Sequence, residues 1–306
     1  MSRRVFLPFV LLFIMGASWG LQLVLIKVAA VDGFEEFAIL TVALLTLAPL
    51  YAMALAIRRQ LFLPSGQHLW FFFVSGTLGY TVPLVAVAFA ARALPAGLIA
   101  AIVALTPMVT VIGAAVLGTE RIGWLRRVAV GFGLVASALL LAGDVALPAP
   151  GLWVLLVVAF LAPLAYGFDA IYVGARWPGD LNALQVVTGE AAVSGVVLLM
   201  LTLFLGDFSS FGGGWSVGHS AVAGFVAVSV IEVFLFFYLV RTEGAVLVSF
   251  GNIISLVTGI FWGALIFGER LPAVVWVSVG ALVIGLLLVA ADARRGQGIG
   301  TSGAHG

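Results

Sequence analysis

The chain has 306 residues, of which 63% are hydrophobic and 9% are charged. Soluble domains carry about 25% charged residues, so this composition excludes a water-soluble fold and predicts an all-α integral membrane protein. The formal net charge of +1 excludes a basic surface for nucleic acid. Cysteine is absent and the three histidines, His68, His219 and His305, are far apart in sequence, so neither a metal site nor a cofactor is predicted.

Apolar stretches of about 20 residues, long enough to cross a bilayer as a helix, recur along the chain. The first follows Arg3 and Arg4 but continues to about Ile26, longer than the apolar region of a signal peptide, so it is expected to remain as a span. The Gly-rich segment 297–306 predicts a disordered tail. Ten spans are predicted, at about 5–28, 35–57, 68–90, 94–117, 122–142, 151–174, 182–205, 219–240, 244–267 and 272–291.

The basic residues predict an orientation. With a cytoplasmic N-terminus and ten spans, eleven of the fourteen Lys and Arg residues fall in cytoplasmic segments. Only Lys27, Arg92 and Arg270 then lie outside. Because cytoplasmic loops are enriched in Lys and Arg, both termini are expected on the cytoplasmic side of the inner membrane.

The chain also resembles itself. At an offset of 149 residues Glu120-Arg121 aligns with Glu269-Arg270, and at 147 residues Trp19-Gly20 aligns with Tyr166-Gly167. The predicted halves, 1–144 and 145–296, contain five spans each. Since five is odd, the second half enters the membrane from the opposite side, which predicts an inverted repeat with a site between the halves.

Four motifs carry a resemblance to a known family. They are Gly16-Ala17-Ser18-Trp19-Gly20 followed by Lys27, Ala104-Leu105-Thr106-Pro107, Gly118-Thr119-Glu120-Arg121 and Gly268-Glu269-Arg270. In order and spacing the chain resembles the ten-span EamA-type exporters of the drug/metabolite transporter superfamily. The resemblance implies a cavity lined by spans one, three, four, six, eight and nine, and substrates such as amino acids or other small metabolites. Span nine departs from the family pattern, because Asn252–Leu256 replaces an acidic or proline-bearing stretch.

Three carboxylates, Asp169, Glu190 and Glu232, fall inside predicted spans. A charged group at the bilayer centre costs about 3 kcal/mol on insertion scales, so such groups usually face a polar cavity or a partner. They are candidate proton carriers, and the alternative is a protonated acid that bonds a neighbouring helix. Glu232 is the leading candidate because its span should line the cavity. The resemblance places Glu190, in span seven, further away.

Other polar and aromatic residues in the spans are candidates for substrate contact, with ordinary helix packing as the alternative. The prolines Pro83 and Pro107 are candidate hinges because they interrupt helical hydrogen bonding. Lys27 is expected either to pair with Asp32, Glu35 or Glu36 or to extend to the lipid headgroups. Glu120-Arg121 and Glu269-Arg270 are interpreted as helix-end ion pairs. The predicted substrate-binding residues are Trp19, Gln22, Tyr80, Asp169, Tyr172, Glu232, Phe236, Asn252 and Ser255.

The leading functional hypothesis is a secondary transporter that exports small zwitterionic, neutral or cationic solutes by alternating access, with proton coupling. Phosphorylated substrates are disfavoured because no basic residue lies deep in a span. A lipid or lipid-linked-sugar flippase of the same fold is the alternative. An enzyme is not expected, since the metalloprotease motif and cysteine are absent and a serine–histidine pair would need His219. The sequence leaves open whether the chain forms a homodimer.

Overall fold

The computed structural model describes residues 3–118, 123–141, 152–243, 248 and 250–302, and within these ranges it contains helices and connections but no strands. The last helix reaches Ser302, inside the segment predicted as a tail. Both the predicted boundary between the halves, at residue 144, and Glu120-Arg121 lie outside the described residues. The helices are α1 (Arg3–Val31), α2 (Glu36–Ile57), α3 (Gly66–Gly76), a π-helix (Thr77–Thr81), α4 (Val82–Ala91), α5 (Ala96–Val103), α6 (Thr106–Val116), α7 (Trp124–Leu141), α8 (Trp153–Arg176), α9 (Ala183–Leu205), a short 3-10 helix (Ser209–Phe211), α10 (Val217–Glu243), α11 (Gly251–Phe267) and α12 (Ala273–Ser302).

Eight helical segments of the described chain are long and apolar enough to cross a membrane. The all-helical membrane fold predicted from composition is therefore confirmed. Two further predicted spans correspond to α7 and to the shorter apolar helix α11. The count of ten spans stays a prediction. The eight segments are Leu7–Val31, Glu36–Ile57, Gly66–Ala91, Ala96–Val116, Trp153–Arg176, Ala183–Leu205, Val217–Glu243 and Ala273–Asp292.

Large apolar side chains cover the outward faces of these helices. Ile57, Val116 and Phe204 are each more than three-quarters exposed. A soluble monomer rarely presents so much contiguous apolar surface, whereas lipid tails solvate it. The interior is filled mainly by Ala, Leu, Ile and Val from almost every helix.

The helix α1 crosses α11 at very short range. A Cβ added to Gly20 would lie 2.4 Å from Thr258 Oγ1 and 2.7 Å from the backbone nitrogen of Gly259. Only glycine allows this approach, which is the role that small residues four apart have between membrane helices. The crossing packs a helix of the first half directly against one of the second.

Both predicted hinge prolines lie at breaks in helical geometry. Pro107 lacks the N–H that would bond the carbonyl of Val103, and this carbonyl instead accepts a hydrogen bond of 2.7 Å from Thr106 Oγ1. The chain here divides into α5 and α6. The π-helix precedes Pro83, which likewise provides no N–H for the carbonyl of Gly79. The breaks are observed, and hinge motion stays a prediction.

Candidate functional site

A central cavity of about 470 Å³ lies between the two halves of the chain. Helices from both halves contribute to its wall, with α1, α2 and α4 from the first and α8, α10 and α11 from the second. Most of the residues singled out from the sequence meet here. These are Trp19, Gln22, Tyr80, Asp169, Glu190, Glu232, Phe236, Asn252 and Ser255.

Glu232 lies near the middle of α10, eleven residues before its end at Glu243. At 1.5 Å per residue this places it about 16 Å from that helix end. Its carboxylate faces the indole N–H of Trp19 and the side-chain amide of Gln22. The Gln22 Nε2 atom is buried beside this carboxylate, and no hydrogen bond of standard geometry is formed by it within the described chain.

Asp169 and Glu190 form a second acidic region of the cavity wall. The Asp169 side chain packs against Gly79 of the π-helix, where an added Cβ would lie 2.9 Å from Asp169 Oδ2. Asp169 Oδ1 is buried and lacks a hydrogen-bond partner within the described residues. Glu190 accepts a hydrogen bond of 2.6 Å from Ser75 Oγ. The expectation that span seven keeps Glu190 away from the cavity is wrong, because the π-helix and α3 pack on α9 and bring Glu190 to the wall.

Two tyrosines that sequence reasoning missed as site residues also line the cavity. Tyr51 of α2 donates a long hydrogen bond of 3.3 Å to the Ser229 carbonyl of α10. Tyr166 of α8 lies close to both Asp169 and Glu232. A phenol inside an apolar span was the signal that identified Tyr80, and it applies equally to these two. Together the phenols connect the two acidic regions.

Tyr172 does not join the other predicted residues. It lies one turn beyond Asp169, and its ring stacks on Phe71 at 5.6 Å. It lines a separate pocket beside the His68–Asp180 pair, at the ends of α3 and α8. Tyr172, predicted to bind substrate, therefore lies outside the central cavity, because α3 covers that end of α8.

A second cavity, of about 620 Å³, adjoins the central one. Thr106, Ala170 and Asn252 line both, so the two spaces meet at these residues. The second cavity lies toward the ends of α6 and α8, on the side of the membrane where α1 begins, and Pro107 lines it. Arg126, in its wall, pairs with Asp292 at 2.7 Å. The central cavity thus continues toward the N-terminal face.

At the opposite face an ion pair joins the two halves. Lys27 Nζ lies 2.5 Å from Glu269 Oε1 and 2.9 Å from the Leu94 carbonyl. The same carboxylate accepts the backbone N–H groups of Ala96 and Gly97 at 2.8 and 3.2 Å, where it caps α5. The expectation that Lys27 pairs with Asp32, Glu35 or Glu36 is wrong. Those three acids form hydrogen bonds or ion pairs at other helix ends. Glu269 pairs with Lys27 across the interface between the halves.

His219, the residue on which a serine–histidine enzyme would depend, belongs to a helix cap. Its Nδ1 accepts the backbone N–H of Ser216 at 3.1 Å, and Ser216 Oγ donates to Asp32 at 2.7 Å. The bond from Ser216 Oγ, together with one from the Gly218 N–H, holds the pKa of Asp32 below its usual value. Ser216 Oγ also lies 3.0 Å from His219 Nδ1, so Ser216, His219 and Asp32 form one polar cluster at the start of α10.

Comparison with known proteins agrees with this architecture. Residues 7–142 match the EamA-like transporter family. The chain is 25% identical over 201 residues to the uncharacterized inner membrane transporter YedA of Escherichia coli K12, and equally to that of Escherichia coli O157:H7. This match covers 64% of the chain and 62% of the relative, so the chain spans less than two thirds of the relative's length.

The fold is also found among solved structures. One crystal structure superimposes with a TM-score of 0.61, covering 93% of this chain and 98% of the other at 16% sequence identity. At that identity the likeness concerns the fold alone. Residues 7–142 are thus similar to the EamA-like transporter family, and the apolar helices identify the chain as a multi-pass membrane protein.

Proposed function

We propose that this protein is a secondary transporter that exports small organic solutes across the inner membrane by alternating access, coupled to protons. The observation that carries the proposal is the central cavity, which both halves enclose and which holds three carboxylates within otherwise apolar spans. Lipid-embedded proteins keep such groups where they serve an ion or substrate pathway. The relatives of the chain are named as transporters, which supports the same function.

The helix contacts support an inverted repeat of five plus five spans. In such a repeat each span of the first half has an equivalent span in the second. The helix α1 is then equivalent to α8, and α4 is equivalent to α10. The helix α1 packs on α10 as α8 packs on α4, and α1 packs on α11 as α8 packs on α6. The pairs α2 with α9 and α7 with α12 map onto themselves. Such two-fold pseudosymmetry allows two equivalent states, one open to each side of the membrane.

The two faces of the cavity support alternating access. On the N-terminal face, which the positive-inside rule makes cytoplasmic, the central cavity continues into the second one. On the other face, the Lys27–Glu269 pair joins the halves. We assign this arrangement to the state that loads from the cytoplasm.

Glu232 is the proposed site of proton coupling. It lies further from its helix end than Asp169 or Glu190 does from theirs. Trp19 and Gln22 of α1 lie beside it, and Tyr51, Tyr80 and Tyr166 lie near it. A carboxylate reached alternately from the two sides can carry one proton per cycle in exchange for substrate. In this proposal the polar groups around Glu232 bond the carboxylate when the site is empty and bond the solute when it is occupied.

The test uses proteoliposomes loaded with a mixed pool of amino acids and small metabolites under an imposed pH gradient. Mass spectrometry identifies the solutes that cross. Glu232→Gln should abolish movement that depends on the gradient. Glu243→Gln, an exposed glutamate at the end of the same helix, is the matched control and should transport normally. Normal gradient-dependent transport by Glu232→Gln would refute the carrier role, and movement of lipid alone would favour the flippase.

A further inference from the structure

We infer that the central cavity selects organic cations that carry an apolar or aromatic body and no carboxylate, such as aryl-alkyl amines. This inference rests on the proposed function and narrows its substrate class. The observation is the charge of the wall, to which the described lining residues contribute three carboxylates and no Lys, Arg or His. A solute held there must supply the positive charge that the wall lacks.

The acids are arranged in depth along the cytoplasmic half of the cavity. Asp169 lies seven residues before the end of α8 at Arg176, and Glu190 lies seven residues after α9 begins at Ala183. A short connection joins these two helix ends, so both lie at the same face of the protein. Both acids are therefore about 10 Å from these helix ends, and Glu232 is about 16 Å from the end of α10. A cation that enters by the second cavity meets Asp169 and Glu190 first and Glu232 last.

The surroundings of Glu232 suit an ammonium group with an apolar substituent. The rings of Trp19 and Phe236 lie 6.3 Å apart, tilted by 47°. A cation beside the carboxylate can rest on the face of either ring, and the charge of an alkylammonium is well matched to aromatic faces. The remaining wall near this point is aliphatic, with Leu23, Leu47 and Val233.

Two buried polar atoms of the wall without hydrogen-bond partners indicate which other polar groups a bound solute carries. Gln22 Nε2 is a donor without a partner and Asp169 Oδ1 is an acceptor without one, in the described chain. An ammonium N–H satisfies the acceptor, and a hydroxyl or ether oxygen satisfies the donor. A solute carboxylate would meet no Lys, Arg or His among the described lining residues and would lie beside three acidic side chains. Zwitterionic amino acids, which the sequence alone leaves open, should therefore bind this cavity more weakly than the amines that share their ring.

The experiment compares amines with the amino acids that share their ring. Isothermal titration of the purified full chain measures the dissociation constants of phenethylamine, tryptamine and benzylamine against those of phenylalanine, tryptophan and phenylglycine. The amine of each pair should bind at least tenfold more tightly. N-acetyl phenethylamine, which lacks the charge, should bind as weakly as the amino acids. Glu232→Gln should weaken amine binding at least tenfold and Glu243→Gln should leave it unchanged.

Transport is followed with phenethyltrimethylammonium, whose permanent charge prevents leakage as a free base. Its uptake into proteoliposomes, lost in Glu232→Gln, supports the inference. Equal or tighter binding of the amino acid in all three pairs overturns it. If the chain moves other solutes of the mixed pool but binds none of the amines, the cation inference fails while the proposed function stands. If amines bind but nothing is moved, the proposed function fails and the assignment of the cavity stands.

Discussion

Lys27 and Glu269 are 242 residues apart in sequence, yet their charged atoms meet at 2.5 Å and join the two halves of the protein. Both side chains are about 10% exposed. Glu269 also caps α5 through the backbone N–H groups of Ala96 and Gly97, so the ion pair holds a helix end of one half against the other. The nearest comparable pair, Arg92 with Glu36, joins helix ends within the first half.

We expect Lys27→Met to release the face at which this pair joins the halves. The chain has no cysteine, so Leu84→Cys in the cavity wall gives a single thiol. A membrane-impermeant maleimide added on the Lys27 side should label it several-fold faster when Lys27 is replaced. Arg92→Met is the control and should not change the rate, because its pair does not cross the interface. Equal acceleration by both would show that Lys27 does not act as a latch.

The same pair makes a stability prediction. Removing one partner of a mostly buried ion pair leaves the other uncompensated and costs about 3–5 kcal/mol, whereas removing both charges costs much less. Glu269→Gln should therefore lower the unfolding temperature more than the double variant Lys27→Met/Glu269→Gln. Thermal unfolding of the purified chain in detergent measures both. A double variant that unfolds at the lowest temperature would contradict the coupling.

Gly79 should be sensitive to a single added methyl group. Its Cβ would lie 2.9 Å from Asp169 Oδ2, so Gly79→Ala must displace the carboxylate from the cavity wall. We expect substrate affinity to fall several-fold while the protein remains folded. Gly131→Ala on α7 is the control, since a Cβ there meets nothing within 4 Å and alanine favours a helix by up to about 1 kcal/mol. Unchanged affinity in Gly79→Ala would argue that Asp169 does not contact the solute.

Pro83→Ala tests whether the break in the third predicted span is a hinge. Alanine restores the N–H that can bond the Gly79 carbonyl, so the π-helix should convert to regular α-helix. If the break moves during the cycle, the transport rate falls several-fold while the dissociation constant changes little. Pro49→Ala, in the interior of α2 and away from the cavity, is the control. A lowered affinity at an unchanged rate would instead assign Pro83 to shaping the wall.

Gly20→Val should prevent close packing of α1 on α11. The added atoms would overlap Thr258 Oγ1 and the backbone of Gly259, and backbone cannot move aside cheaply. We expect the variant to aggregate or elute as several species in size-exclusion chromatography. Gly224→Ala is the control, because its Cβ would meet only the Leu25 side chain at 3.5 Å, an ordinary contact. A monodisperse Gly20→Val would show that the helices can separate without loss of fold.

Much of this protein follows from local sequence. Runs of apolar residues specify helices in lipid because every backbone N–H and C=O must bond within its own segment. Pro83 and Pro107 mark breaks because a proline lacks the donor at any depth. The carboxylates Asp169 and Glu232 point to a cavity because lipid does not solvate a charge. These inferences need a residue and its solvent, and no knowledge of which helices are neighbours.

Tertiary structure decided which groups meet. The sequence offered Lys27 three nearby acids, and the fold joins it to Glu269, because the partner of a charge depends on how distant helix ends converge. Glu190 reached the cavity through the packing of α9 on the π-helix, and Tyr172 left it because α3 covers its end of α8. Period and composition fix the faces and ends of helices, but the neighbours of each face are set by close contacts such as Gly20 on Gly259, which sequence spacing does not encode.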